Sequence, residues 1–134
     1  MKMGCLTRKR YAMNGSDLLL DTNILVYAMK GLAEVRPYFD TPSNISVITE
    51  IEILGVKDLP ANEMKIREAA IEYCSILPLS PSIRKKAIEI KRLIKIPVPD
   101  AIIAATAIEE ELTLVTADKG FRRLKNLSLI LIEI

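Results

Sequence analysis

Short apolar runs alternate with helical segments along this chain, and the alternation limits its possible folds more than any other feature. The runs have the length and the aliphatic or β-branched composition of buried strands. They lie at 17–21, 44–49, 75–79, 112–118 and 127–134. Strands that alternate with helices favour a parallel sheet, and such sheets are covered on both faces. We therefore predict an α/β fold with a mainly parallel sheet of four to five strands.

The helical segments differ in how much of their surface is apolar. The segment at 97–111 opens with Pro99 and is apolar on most sides, which predicts a central, buried helix. The segment at 82–94 has one apolar stripe, which consists of Ile83, Ala87, Ile90 and Ile94. For an amphipathic helix at 63–75, the predicted buried face consists of Ile66, Ala70, Tyr73 and Leu77.

Charge is distributed unevenly along the chain. The formal net charge is +2 at pH 7, but residues 1–16 contain four basic residues and no acidic ones. From residue 17 onward there are 15 basic and 17 acidic residues. The body is therefore no strongly basic nucleic-acid binder, and such binding would need local patches. We interpret 1–16 as a flexible arm, a mis-assigned start or residues added for expression, and 17–134 as a single domain.

Several classes of protein do not fit the composition. The longest apolar run, AIIAATAI at 101–108, is far shorter than the roughly 20 residues of a membrane span. The N-terminus lacks the apolar core of a signal peptide. We therefore expect a cytoplasmic protein with no membrane partner. The chain has no histidine and only two cysteines, which argues against a structural zinc site.

Four acidic residues stand where apolar runs end or helices begin. Asp21 and Asp118 end the first and fourth predicted strands, Glu52 lies one turn into a helix, and Asp100 opens another. The carboxyl ends of parallel strands share one edge of a sheet, so all four side chains can meet there. Carboxylates without histidine suit Mg²⁺ or Mn²⁺ better than zinc. Glu50 competes with Glu52, and the spacing from the strand does not choose between them.

Each acid also has a purely structural explanation. Asp21 and Asp118 suit helix caps or turns. The helix dipole favours Asp100 in a first helical turn. Glu52 follows Thr49 by three residues, which is the spacing of a capping box. The case for a site depends on all four acids reaching the same edge.

Four segments in order resemble the PIN-domain ribonucleases, and most of all the small VapC-type toxins of type II toxin–antitoxin pairs. The segments are LLLDTNILVYA, ISVITEIEILG, PDAIIAATA and LTLVTADKGF. The resemblance covers residues 17–134. It implies a three-layer α/β/α fold, metal-dependent cleavage of RNA, a cognate antitoxin and a homodimer.

The resemblance also implies roles for individual residues. The acids that bind metal and act in catalysis map to Asp21, Glu52, Asp100 and Asp118. This mapping favours Glu52 over Glu50. The family's asparagine and hydroxyl map to Asn23 and Thr116, which would support the acids or contact phosphate.

One or two Mg²⁺ or Mn²⁺ ions in such a site would help water attack a phosphodiester. Water attack with an oxygen leaving group at the 3′ side leaves 5′-phosphate and 3′-hydroxyl ends. The histidine-based route through the RNA 2′-hydroxyl is unavailable to this chain. The predicted RNA contacts are the basic residues just beyond Asp118, namely Lys119, Arg122 and Arg123.

Two other functions are compatible with the acids. A haloacid-dehalogenase-like phosphatase also has acids after its first strand, but the second of them would stand at Asn23. The chain is also short for that fold. A non-catalytic interaction module with a degenerate nuclease fold is the other alternative, although all four acids are present.

Overall fold

The computed structural model describes residues 15–134, so most of the arm predicted at 1–16 lies outside the described residues. Five parallel strands form one sheet in the order β3–β2–β1–β4–β5. They are β1 (Leu18–Leu20), β2 (Asn44–Ser46), β3 (Ser75–Leu77), β4 (Thr113–Thr116) and β5 (Leu129–Leu131). Each strand is shorter than its apolar run, and the predicted parallel α/β sheet is confirmed.

Five α-helices connect these strands. They are α1 (Thr22–Met29), α2 (Val47–Leu54), α3 (Ala61–Glu72), α4 (Pro81–Leu93) and α5 (Val98–Glu109). Short 3₁₀ segments add Gly15–Asp17, Ala33–Phe39 and Lys119–Arg123. The Ala33–Phe39 segment has no counterpart in the sequence prediction, because a short stretch interrupted by Pro37 shows no helical period. Within residues 15–134, no helix is long and apolar enough to cross a membrane.

Two hydrophobic clusters lie on opposite faces of the sheet. Successive side chains of a strand point to opposite faces, and β1 shows this directly. Leu19 belongs to the cluster formed with α4 and α5, whereas Leu18 and Leu20 belong to the cluster formed with α1, α2 and α3. Helices therefore cover both faces, which gives the three α/β/α layers.

The most buried helix is α5, as its apolar sequence predicts. Every residue from Ala101 to Ala107 is buried. The predicted stripe on α4 is also confirmed at Ile83, Ala87 and Ile90, which pack in the same cluster. The oxygen of Ser80 caps α4 by accepting from the N–H of Ile83 at 3.2 Å.

The predicted buried face of α3 is wrong in part. Ile66 is 53% exposed and Tyr73 is 42% exposed, whereas Ile71 is buried. Ile66 and Tyr73 line an apolar groove of about 410 Å³ together with Phe39. The walls of the groove come from α1, the Ala33–Phe39 segment and α3.

The described fold begins with two residues of the stretch assigned to the arm. Gly15 is buried, and its N–H donates to the hydroxyl of Thr41 at 2.6 Å. A Cβ at Gly15 would lie 1.9 Å from the carbonyl oxygen of Pro42. Glycine is therefore the residue that allows this close approach of two backbones.

Candidate active site

The predicted acids emerge at the carboxyl edge of the sheet. Asp21 follows β1 directly, and Asp118 follows β4 after one intervening residue. Since Leu20 pairs with Val115, Asp21 and Thr116 are neighbours across the two strands. The helix α2, which carries Glu52, leaves the end of β2 on the other side of β1.

Asp21 is buried and both its carboxylate oxygens are engaged. Oδ1 accepts from the backbone N–H of Thr22 at 2.8 Å, so Asp21 caps α1. Oδ2 accepts from the hydroxyl of Thr116 at 2.7 Å. Burial raises the pKa of Asp21, the two hydrogen bonds oppose the rise, and the charges of Asp118 and Glu52 add to it. The capping explanation is thus correct for Asp21, but it accounts for only one of the two oxygens.

Thr116 links Asp21 to Asp118. Its hydroxyl donates to Asp21 and accepts from the backbone N–H of Asp118 at 3.0 Å. Asp118 in turn accepts from the N–H of Gly120 at 2.8 Å, which caps the Lys119–Arg123 segment. Asp118 is exposed, in contrast to the buried Asp21.

Glu52 accepts a hydrogen bond from Thr22 of α1, and Thr22 in turn contacts Thr49 of α2. The hydroxyl of Thr22 donates to Oε1 of Glu52 at 2.6 Å, and the same hydroxyl lies 2.9 Å from the hydroxyl of Thr49. The capping-box explanation for Glu52 is wrong, because the cap of α2 is Ser46, whose oxygen accepts from the N–H of Ile48. Glu52 is therefore available for a site.

Asp100 lies within electrostatic range of the other three predicted acids. It lies in the first turn of α5, half-buried. Burial and then the charges of Asp21, Asp118 and Glu52 raise its pKa to about 6. All three other predicted acids thus act on Asp100, whereas Glu50 is not among its perturbers.

The two supporting residues predicted from the family pattern differ in environment. The hydroxyl of Thr116 is fully buried between Asp21 and Asp118. Asn23 is exposed in the first turn of α1, two residues after Asp21.

Thr22 and Thr49 are contacts that the sequence pattern did not reveal. Thr22 stands between Asp21 and Asn23, and Thr49 lies one helical turn before Glu52. The only sequence signal was the spacing of three residues from Thr49 to Glu52, which places both on one helix face. That signal pointed to a cap, whereas the structure joins both residues to Thr22.

The predicted RNA contacts lie on the 3₁₀ segment beyond Asp118. Lys119 and Arg122 are exposed there. Arg123 instead makes structural hydrogen bonds. Its guanidinium donates to the carbonyl of Gly120 at 3.0 Å and to that of Lys95 at 2.7 Å. Arg123 therefore fastens the loop before α5 to the segment after β4.

The donor set fits a hard divalent cation in its chemistry. Carboxylate oxygens are the ligands that Mg²⁺ and Mn²⁺ favour. Burial raises the pKa of Asp21 and Asp100, the neighbouring carboxylates add to the rise, and a cation would relieve this repulsion between like charges. Within residues 15–134, no three His, Cys, Asp or Glu side chains already form a group that could hold a metal ion. The four carboxylates would have to draw closer around one.

Comparisons with known proteins agree with this geometry. The model of the PIN domain matches residues 18–127. A comparison with curated proteins gave no match.

The chain is also similar to solved structures of toxin–antitoxin complexes. A chain of a toxin–antitoxin complex from Klebsiella pneumoniae is 28% identical, with a TM-score of 0.72, over 84% of this chain and 95% of that one. A VapBC2 complex from Rickettsia felis, bound to a DNA fragment from its promoter, gives 25% identity and a TM-score of 0.65 over 87% and 98%. A DNA-bound VapBC complex from Salmonella typhimurium, at 23% identity, shares the fold with a TM-score of 0.78 over 88% and 98%.

The family match spans β1 to the end of the loop before β5, and it includes all four acids. The resemblance inferred from the sequence segments is confirmed. The chain therefore belongs to the PIN domain family.

Proposed function

We propose that this protein is a metal-dependent endoribonuclease that hydrolyses phosphodiester bonds in RNA, and that it acts as the toxin of a toxin–antitoxin pair. One observation carries the proposal. Burial first, and then the charges of Asp21, Asp118 and Glu52, raise the pKa of Asp100 to about 6 in the first turn of α5. A cluster of four carboxylates at the end of a parallel sheet is costly without a cation and useful with one.

In this proposal Asp21, Asp100 and Asp118 hold one or two Mg²⁺ or Mn²⁺ ions, and Glu52 either joins them or serves as the base for water. A bound ion supplies polarisation of the scissile phosphate and a lowered pKa of its water. Asp21 enters this role pre-oriented, because Thr116 and the N-terminus of α1 hold both its oxygens.

The substrate would approach the exposed side of the cluster. Asn23 is exposed two residues after Asp21, and its amide can donate a hydrogen bond to a phosphate oxygen. Lys119 and Arg122 follow Asp118 and supply positive charge close to the acids. Among the basic residues of the Lys119–Arg123 segment, Arg123 is the least suited to RNA, since two backbone carbonyls already bind its guanidinium.

The toxin assignment is supported by the solved structures to which the chain is similar. They are toxin–antitoxin and VapBC complexes. On the same grounds we propose a cognate antitoxin as partner, and we further propose that the protein is a homodimer that acts in the cytoplasm. In cells, induction of the wild-type chain should arrest growth, and induction of the Asp21→Asn variant should not.

Cleavage of a single-stranded RNA of mixed sequence tests the nuclease proposal. Wild type should cleave with Mn²⁺ or Mg²⁺ and stop when EDTA is added, leaving 5′-phosphate ends. The Asp21→Asn and Asp100→Asn variants should lose at least a hundredfold in rate. The matched control is Glu110→Gln, an exposed acid at the opposite end of α5 from Asp100. Cleavage without metal, or full activity of both aspartate variants, would refute the proposal.

The same protein samples also test the phosphatase alternative. That function requires hydrolysis of a small phosphomonoester such as p-nitrophenyl phosphate. We expect none above background, because the match to the PIN domain family favours a nuclease. Phosphomonoester hydrolysis without RNA cleavage would replace our proposal by the phosphatase.

A further inference from the structure

Thr22 touches two of the four acids at once. Its backbone N–H donates to Oδ1 of Asp21 at 2.8 Å, and its hydroxyl donates to Oε1 of Glu52 at 2.6 Å. Asp21 leaves β1 and Glu52 lies on α2, so this one residue connects acids that are 31 positions apart. Asp21 and Glu52 also raise the pKa of Asp100, which places the bridge beside the common space.

The direction of the hydroxyl hydrogen bonds follows from their chemistry. A hydroxyl has one hydrogen and can accept through its lone pairs, whereas an ionised carboxylate only accepts. Thr22 must therefore give its hydrogen to Glu52. The contact of 2.9 Å between the hydroxyls of Thr22 and Thr49 then has Thr49 as its donor. Thr49, Thr22 and Glu52 form a directed chain that begins at a fully buried side chain.

Glu52 needs such a partner more than the aspartates do. It is exposed on α2, and a free glutamate side chain samples many rotamers. A short hydrogen bond to a carboxylate is stronger than one between neutral groups. The first turn of α1 fixes Thr22, because Asp21 caps that turn. The position of Glu52 is thus coupled to the same cap that orients Asp21.

We infer that Thr22 is a positioning residue of the acidic site, which holds Glu52 toward the space shared with Asp21 and Asp100, with Thr49 as the donor behind it. This inference rests on the proposed metal-dependent function. A hydroxyl at position 22 is then required for full affinity toward Mg²⁺ or Mn²⁺. A valine of the same shape would keep the packing and lose the hydrogen bond.

The first test measures the hydrogen bond without metal. The urea midpoint is determined in EDTA for wild type, Thr22→Val, Glu52→Ala and the double variant. If Thr22 acts on Glu52, the Glu52→Ala change shifts the midpoint in wild type differently from its shift in the Thr22→Val background. Equal shifts in both backgrounds would show that the two side chains are uncoupled and would overturn the inference.

The second test measures Mn²⁺ affinity by calorimetry. Thr22→Val should weaken binding about tenfold, as loss of an outer partner of a ligand typically does, and Thr22→Ser should restore it to within about twofold. The matched control is Thr113→Val, which removes a hydroxyl contact of 2.8 Å with Ser128 at the opposite end of β4. That variant should bind Mn²⁺ like wild type.

The outcomes separate the two proposals. Tight Mn²⁺ binding by wild type together with unchanged affinity of Thr22→Val overturns the positioning role and leaves the nuclease proposal intact. Failure of the Ser variant to restore affinity also overturns it, because shape rather than the hydroxyl would then matter. Wild type that neither binds Mn²⁺ nor cleaves RNA refutes the nuclease proposal, and the positioning role falls with it.

Discussion

At the scale of single residues, Asp21 shows how a local signal and a distant contact combine. An aspartate directly before a helix predicts a cap, and Oδ1 of Asp21 is indeed bound by the N–H of Thr22. Its other oxygen is bound by Thr116, which is 95 positions away. The strand pairing of Leu20 with Val115 creates that contact. A sequence shows the cap, but only the register of β1 against β4 reveals the partner.

Replacement of Thr116 by valine should weaken both the fold and the activity. The substitution leaves a buried oxygen of Asp21 and the N–H of Asp118 without the hydroxyl that now binds them. We expect a loss of about 2 kcal/mol in the free energy of unfolding, measured in urea, since an unpaired buried polar group costs about 1–3 kcal/mol. RNA cleavage should fall at least tenfold. Thr116→Ser keeps the hydroxyl and should retain most of the activity, and a valine variant as active as wild type would contradict this role.

Asp100 should lower the stability of the metal-free protein at neutral pH. Its pKa rises from 3.8 to about 6 on folding, so the folded state favours the protonated form. Below pH 3.8 the group is protonated in both states and has no effect. The stability cost grows as the pH rises between these values and is complete above pH 6.

The Asp100→Asn variant tests this consequence. In EDTA at pH 8 it should gain about 1 kcal/mol, a value reduced because solvent screens a partly exposed group. The gain should disappear near pH 4. Glu110→Gln is the control, since it removes an acid at the far end of the same helix. Urea unfolding at both pH values measures the effect. A loss of stability of Asp100→Asn at pH 8 would show that burial and the neighbouring acids do not disfavour the ionised carboxylate of Asp100.

At the scale of secondary-structure elements, the sequence pattern predicts α4 and α5 well because burial dominates both. Seven consecutive buried residues in α5 match its nearly continuous apolar sequence. The predicted buried face of α3 is wrong in part, for a physical reason. Ile66 and Tyr73 share a helix face, but the helix turns Ile71 into the core and leaves them on the apolar groove. Which face of a weakly amphipathic helix is buried depends on its neighbours, which for α3 are α1 and α2.

The small residues of α5 should be essential for its place between α4 and the sheet. Ala104 is fully buried in the cluster that also contains Leu19 and Ile83. Ala104→Leu adds three carbon atoms there and should cost about 1–3 kcal/mol or more, because a packed core has no room for them. Val98→Leu, at a position that is 56% exposed on the same helix, should change stability little. Equal stability of the two variants in thermal unfolding would mean that the helix is not tightly packed.

At the scale of the whole molecule, strand order brings together acids that are far apart in the sequence. The order β3–β2–β1–β4–β5 puts β1 in the centre, with β2 and β4 beside it. Asp21, the helix carrying Glu52 and Asp118 therefore start from three adjacent strand ends. The common edge follows from parallel strands and is predictable from the sequence. The order of the strands is not predictable from the sequence, because it depends on pairing between distant segments and leaves no local pattern.

The charge of the whole molecule makes local cations important for RNA binding. From residue 17 onward the acidic residues outnumber the basic ones by two, and four of the acids lie at the proposed site. A polyanion is repelled by such a surface unless cations next to the site contact its phosphates. Lys119 and Arg122 are exposed on the segment that follows Asp118, whereas the guanidinium of Arg123 donates to the carbonyls of Gly120 and Lys95.

We therefore predict that Lys119 and Arg122 contribute to RNA binding, whereas Arg123 contributes to stability. The double variant Lys119→Ala/Arg122→Ala should raise KM for RNA about tenfold at low salt with little change in kcat, because it removes phosphate contacts and leaves the acids untouched. The difference in KM from wild type should shrink as the salt concentration increases.

Arg123→Ala should instead lower the thermal stability, since it removes the hydrogen bond that holds the loop before α5. Lys57→Ala/Lys65→Ala removes two exposed charges that lie away from the Lys119–Arg123 segment along the chain and serves as the control. Equal KM values for both double variants would show that RNA does not approach over the segment beyond Asp118.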